Sequence, residues 1–145
     1  MSKKNILVVG LGYVGTANAI LLAQKNSVYC FDLDQTKLDK LKNKIPPIQD
    51  KEASKFLKTK KLNLAVVNNL KELKKSIDYI IIATPTNYDP NSNYFDTKSV
   101  ESVIKNLKNK FKSAVFIIRS TLPVGFVQNI QKKYTSRWFR VCGYR

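Results

Sequence analysis

Three glycines and an aspartate are the residues whose types and spacing could do chemistry together. Gly10, Gly12 and Gly15 stand in the spacing G-x-G-x-x-G, and Asp32 follows Gly10 by 22 residues. In such a motif the first glycine allows a sharp turn, and the second removes a side chain where a pyrophosphate must approach the backbone. The third lets a helix pack close to a strand. A helix opening at that turn offers unpaired N–H groups to an anion. A carboxylate at the end of the next strand accepts hydrogen bonds from ribose hydroxyls and repels a 2′-phosphate, which favours NAD over NADP. Each residue also has a plainer reading. The glycines could form a turn that binds nothing, and Asp32 could cap a helix beside Asp34.

The motif has meaning only between a strand and a helix. Residues 6–9 form an apolar, largely β-branched run, and Val14, Ala17, Leu21 and Leu22 recur at helical spacing after the turn. The pattern predicts a second strand over 28–31, then a helix capped by Asp34 that carries Leu38, Leu41 and Ile45 and stops at Pro46 and Pro47. A short helix with Phe56 and Leu57 inward, a strand near 62–67 and a further short helix with Leu70, Leu73 and Ile77 follow. Residues 79–83 and 114–118 are continuous apolar runs, as expected of strands buried on both faces of a parallel sheet. Between them lie a polar loop, 84–93, and a helix from about residue 97 with Val100, Val103, Ile104, Leu107 and Phe111 on one face. A last helix carries Val127, Ile130 and Tyr134. Strands alternating with helices at this rhythm imply right-handed crossovers and a parallel sheet. The fold class is α/β, a Rossmann-like doubly wound sheet in a single domain.

Two loops leave the carboxyl ends of predicted strands, where ligands of open parallel sheets bind. They are Ala83-Thr84-Pro85-Thr86-Asn87 and Arg119-Ser120-Thr121-Leu122-Pro123. Each presents a hydroxyl, Thr86 or Thr121, on backbone stiffened by proline. Either alone is an ordinary loop. With the glycine turn and Asp32 they fall on one edge of one sheet, and together they point to a bound dinucleotide. Lys37, one turn beyond Asp32, lies along the adenosine edge or is simply solvated.

The composition excludes several other classes. A chain of 145 residues with 43% apolar content can bury one core. Its longest apolar runs are too short to span a bilayer, and the first strand leaves no room for a secretory leader. Two cysteines and no histidine make neither a disulfide framework nor a metal site. A reduced, cytoplasmic setting is expected. The 26 Lys and Arg against 10 Asp and Glu, a formal charge of +16, raise the question of nucleic acid. The lysines, however, are spread along helices, and no aromatic residues interleave with them as a stacking platform. No nucleic-acid partner and no membrane are expected.

The residues also resemble a known family. Gly10-Leu11-Gly12-Tyr13-Val14-Gly15, Asp32, Ala83-Thr84-Pro85-Thr86-Asn87-Tyr88-Asp89, Asn93-Tyr94-Phe95-Asp96-Thr97 and Ser120-Thr121-Leu122-Pro123-Val124-Gly125-Phe126 are similar to the cofactor domain of the UDP-glucose 6-dehydrogenases, within the UDP-glucose/GDP-mannose dehydrogenase family. The resemblance covers about residues 4–134. It implies an oxidoreductase that turns the C6 alcohol of UDP-glucose into a carboxylate with two NAD, through a cysteine thiohemiacetal and thioester. Such an enzyme would serve nucleotide-sugar metabolism and polysaccharide biosynthesis as a homo-oligomer. It also implies that Tyr13, Val14, Asp32, Lys37, Thr86 and Thr121 join the glycines around NAD, with Thr121 near the reacting centre.

The departures lie at the end. Cys142 does not match the Gly-Gly-Cys-Phe-Pro-Lys-Asp-like motif that carries the family's nucleophile, and Cys30 reads as a small buried hydrophobe. No catalytic residue is therefore assigned. Arg119 stands where lysine is more usual. Of four arginines, Arg137, Arg140 and Arg145 fall in the last nine residues, beside the only tryptophan, Trp138. This suggests a cofactor domain over 1–134 and an atypical tail over 135–145, frameshifted or truncated, with the sheet's last strand lacking or replaced. The expected result is a chain that binds NAD and, without a nucleophile or substrate domain, is inactive alone. The alternatives are a non-catalytic NAD-binding fragment and a basic nucleic-acid-binding protein.

Overall fold

A computed structural model describes residues 2–91, 94–134 and 140–143. In chain order the elements are β1 (Asn5–Val9), α1 (Tyr13–Ala23), β2 (Ser27–Phe31), α2 (Gln35–Lys42), α3 (Lys51–Thr59), β3 (Leu64–Val66) and β4 (Tyr79–Ile82). They continue with β5 (Tyr88–Asp89), β6 (Tyr94–Phe95), α4 (Lys98–Leu107), β7 (Val115–Ile118), α5 (Phe126–Lys133) and β8 (Arg140–Gly143). The main sheet is parallel throughout, in the order β3-β2-β1-β4-β7-β8. The chain winds outward from β1 in one direction and from β4 in the other. A crevice opens where the two directions part, beyond the carboxyl ends of β1 and β4.

Period-two alternation along the strands feeds two cores. Leu7, Val9, Ile80, Ile82, Phe116 and Ile118 pack with α4 and α5 on one face. Ile6, Val8, Cys30 and Ile81 pack with α1, α2 and α3 on the other. Asp34 and Asp50 start α2 and α3 by accepting the N–H groups of Thr36 and Ala53 at 2.9 and 2.8 Å.

Several local expectations are corrected. In α1 the buried residues are Gly15, Thr16, Ala19, Ile20 and Ala23, while Val14 is 45% and Leu21 66% exposed. The helix is apolar on every side, so its pattern left the rotation open; the close approach of Gly15 to Gly10 decides it. The helix expected to include Ile45 ends at Lys42. Lys44 takes a left-handed φ of 58°, and its N–H donates to the Leu41 carbonyl while that of Ile45 donates to Lys40. These are the bonds of a Schellman closure, made before the prolines are reached.

No helix forms around Leu70, although Leu73 and Ile77 are buried as anticipated. There Lys110 Nζ donates to the carbonyls of Leu70 and Lys71 at 2.7 and 2.6 Å, so these carbonyls are satisfied without a helical turn. The loop 84–93 contains β5, which pairs antiparallel with β6 and sets Tyr88 against Phe95, the rings tilted by 48° with centroids 4.9 Å apart. The last strand is not lacking: β8, within the arginine-rich stretch, pairs in parallel with β7. Asn93, Arg137, Trp138 and Arg145, named above, lie outside the described residues.

Candidate cofactor-binding site

The three glycines do three different things. Gly10 has φ of 94°, and a Cβ added there would lie 2.5 Å from the Ala83 carbonyl oxygen. A Cβ on Gly15 would overlap the Gly10 carbonyl. Both are required by the close packing of β1, α1 and the end of β4. Gly12 is unlike them. Its φ of −77° suits any residue, and an added Cβ would meet nothing within 4 Å. The space beside it belongs to the crevice. The N–H of Thr16 makes the first bond of α1, to the Gly12 carbonyl at 2.9 Å. No side chain caps the end, so the first N–H groups of the helix are available to a ligand.

Asp32 ties this turn to the end of β2. Its Oδ2 accepts the Leu11 N–H at 2.6 Å and its Oδ1 the Asp34 N–H at 2.9 Å. Lys37 Nζ, reaching back from α2, is 3.5 Å from Oδ2. The cap reading of Asp32 thus passes to Asp34, and Asp32 holds the glycine turn itself. A carboxylate accepts about four hydrogen bonds. The two main-chain donors leave capacity for a diol.

Hydroxyls join the two loops on the other side of the crevice. Ser120 Oγ donates to the Thr84 carbonyl at 2.6 Å, Ser99 Oγ to the Pro85 carbonyl at 2.7 Å, and Thr84 Oγ1 lies 3.0 Å from Ser99 Oγ. These bonds seat Thr86 and Thr121 on the rim. The resulting cleft is about 730 Å³, within the range of about 300–1,000 Å³ usual for small-molecule sites. Gly10, Gly12, Tyr13, Val14, Asp32, Lys37, Thr86 and Thr121 all line it. Gly15 does not, since its place is beneath the turn.

Sequence reasoning missed Ser99, Ser102 and Asn106, which line the same cleft from α4. Their signal was present. Residues 99, 102, 103 and 106 follow the i, i+3, i+4, i+7 rhythm of one helix face, beside the apolar face that drew attention. Arg119 also lines the cleft. Cys30, on β2, is fully buried, and burial pushes its thiol up to about 12. A protonated, enclosed sulfur is no nucleophile. Among the described residues no three His, Cys, Asp or Glu side chains gather as metal ligands, and no helix is long and apolar enough to cross a membrane.

An open glycine at a helix N-terminus, a carboxylate at the end of the next strand and a cleft at the switch point are the features that a dinucleotide site requires. The family model for the NAD-binding domain of the UDP-glucose/GDP-mannose dehydrogenase family matches residues 4–139. The chain belongs to that family.

As its NAD-binding domain, the chain is 41% identical over 131 residues to UDP-glucose 6-dehydrogenase of Campylobacter jejuni, covering 89% of this chain and 33% of the relative. UDP-glucose 6-dehydrogenase of Streptococcus pneumoniae is 38% identical over 131 residues, covering 90% of this chain and 33% of its own. The chain therefore spans about a third of the length of these curated relatives, 33% in each case. The fold is shared with UDP-D-ManNAc dehydrogenase from Pyrococcus horikoshii, at a TM-score of 0.81 and 24% identity over 97% of this chain and 36% of that one. It is shared too with GDP-mannose dehydrogenase from Pseudomonas aeruginosa, at a TM-score of 0.78 and 24% identity over 94% and 34%.

Proposed function

We propose that this chain is the cofactor half of an enzyme that oxidises UDP-glucose to UDP-glucuronate with two NAD, and that the 145 residues bind NAD without turning over substrate. The observation that carries the reading is the open space at Gly12, which faces the free end of α1 and lies one strand from the Asp32 carboxylate. The substrate class rests on the two bacterial relatives, whose names state UDP-glucose 6-dehydrogenase, and on the Thr86-Asn87-Tyr88-Asp89 and Asn93-Tyr94-Phe95-Asp96-Thr97 stretches. By the same resemblance the whole protein acts in the cytoplasm as a homo-oligomer serving polysaccharide synthesis.

Each residue then has a task. The first N–H groups of α1, at Tyr13 and Val14, bind the pyrophosphate, and Gly12 keeps its path clear. Asp32 accepts the adenosine ribose hydroxyls, with Lys37 beside it as counter-charge. Thr86 and Thr121 orient the nicotinamide end from the two proline-stiffened loops. NAD, when bound, supplies the hydride acceptor. Covalent capture of an aldehyde needs an accessible thiolate, a role for which the buried Cys30 is unsuited. Residues 1–134 are read as the cofactor unit and 135–145 as an appended tail whose strand closes the sheet.

Isothermal titration tests the site. NAD should bind more tightly than NADP, because a 2′-phosphate would face the Asp32 carboxylate. Equal affinities would remove the ribose assignment. With UDP-glucose and NAD, absorbance of reduced cofactor should not rise above a buffer control; a steady rise would refute the inactivity of the chain.

A further inference from the structure

Among the described residues β3 is an edge strand of the sheet, and it borders another concavity, of about 380 Å³. Leu62, Leu64 and Val66 form its floor, since alternate residues of a strand project to one face. Leu41 of α2 and Leu57 of α3 wall it. Lys42, Lys44, Lys60 and Lys61 ring it, and among the described residues no acidic side chain lines it. Lys42 has the Asp39 carboxylate at 3.8 Å. Among the described residues Lys44, Lys60 and Lys61 have no carboxylate within ion-pair distance. Both helices end here, and their terminal carbonyls attract cations. That attraction explains lysines near the helix ends; it does not explain an apolar floor between them.

The main chain adds a second feature. The Val28 N–H donates to the Asn63 carbonyl, and the Val67 N–H to the Cys30 carbonyl, each at 2.9 Å. Asn63, Ala65 and Val67 therefore face β2, and the N–H and C=O groups of Leu64 and Val66 face the open edge of the sheet.

We propose that this groove docks an extended acidic segment of a partner protein, which adds a strand to β3. Its main chain pairs with Leu64 and Val66, alternate apolar side chains enter the groove, and its carboxylates meet Lys44, Lys60 and Lys61. A second copy of this chain does not suit the site: the chain carries +16, and its ten carboxylates are scattered along the sequence. The lysines instead keep copies from pairing edge to edge. Nucleic acid does not suit the floor: among the described residues no aromatic side chain lines the groove to stack on a base, and the nearby Phe56 ring has Lys60 Nζ 5.9 Å from its centroid.

Fluorescence anisotropy with a labelled, end-capped peptide of alternating Glu and Val tests the proposal on the 145-residue chain. Binding should saturate and weaken with salt. Lys60→Glu with Lys61→Glu should weaken it about tenfold or more. Lys74→Glu with Lys75→Glu, an equal change of net charge at exposed residues outside the groove, should leave it unchanged. Amide exchange at Leu64 and Val66 should slow when peptide is added. If the first double variant no longer melts cooperatively, Lys44→Glu replaces it and should also weaken binding. Equal weakening by both charge reversals, unprotected amides at Leu64 and Val66, or equally tight binding of an oligonucleotide at the groove would each overturn the proposal. The groove lies outside the cofactor cleft, so NAD binding by the same protein is an independent result.

Discussion

Replacing the three glycines one at a time by alanine separates fold from function within a single motif. At Gly12 the added methyl meets no protein atom within 4 Å, and φ is ordinary. The loss of a favourable N-cap costs up to about 1 kcal/mol, and the stiffer unfolded chain returns about 0.4–1 kcal/mol. Stability should therefore be nearly unchanged. Binding should not be. A methyl beside the proposed pyrophosphate path that displaces one charge-assisted hydrogen bond costs about 1.5–3 kcal/mol, or roughly tenfold to a hundredfold in Kd. With NAD at a hundred times the wild-type Kd, binding stabilises the wild type by about 2.7 kcal/mol. A tenfold weaker Gly12→Ala variant retains about 1.4 kcal/mol of that under the same conditions.

Gly10→Ala and Gly15→Ala should behave in the opposite way. Gly10→Ala strains a left-handed residue and drives a Cβ to 2.5 Å from the Ala83 carbonyl oxygen, at about 2–5 kcal/mol in all. Gly15→Ala overlaps the Gly10 carbonyl and should cost about 3 kcal/mol. At about 2–4 °C per kcal/mol, Gly10→Ala should melt roughly 4–20 °C lower and Gly15→Ala roughly 6–12 °C lower. Scanning fluorimetry with and without NAD reads both quantities. A Gly12→Ala protein that binds NAD like wild type, or that melts as low as Gly15→Ala, would refute the division of roles.

Three further outcomes are expected. Lys44→Gly relieves the left-handed φ of 58° at the end of α2 and should stabilise the protein by about 0.5–1 kcal/mol; an unchanged or lower melting temperature would count against strain there. Asp32→Asn keeps the shape but turns one acceptor into a donor, so the N–H of Leu11 or Asp34 loses its partner, at about 1–3 kcal/mol. Titration should also show the preference for NAD over NADP narrowing, and an unmoved melting point would mean that Asp32 does not hold the turn. In a Cys142→Ser background, Cys30 should resist a thiol reagent at pH values near its ordinary 9.0 while folded and react rapidly once unfolded in guanidinium. Because burial raises this thiol, the stability that it contributes is complete below pH 9.0 and is lost as pH rises toward about 12; rapid labelling of the native protein would contradict its enclosure.

Much of the fold and of the candidate site was written in local sequence. Strand runs such as 79–82, the glycine spacing and the offset of Asp32 are short-range patterns, because backbone conformation and period-two burial act over a few residues. They sufficed for the parallel sheet, the turn and the two threonine loops. The tertiary structure decided what depends on residues far apart in the chain. The rotation of α1 follows from Gly15 against Gly10 and Ala83, a helix apolar on every side being unable to choose its own inner face. The bond from the Leu11 N–H to Asp32, the hydroxyl chain through Thr84, Ser99 and Ser120, and the seating of α4 polar residues in the cleft all join separate elements. So does the pairing of β8 with β7, which gives Arg140–Gly143 a place in the sheet. Sequence determined the chemistry of the turn, and the packing of distant segments decided which side chains share its cleft.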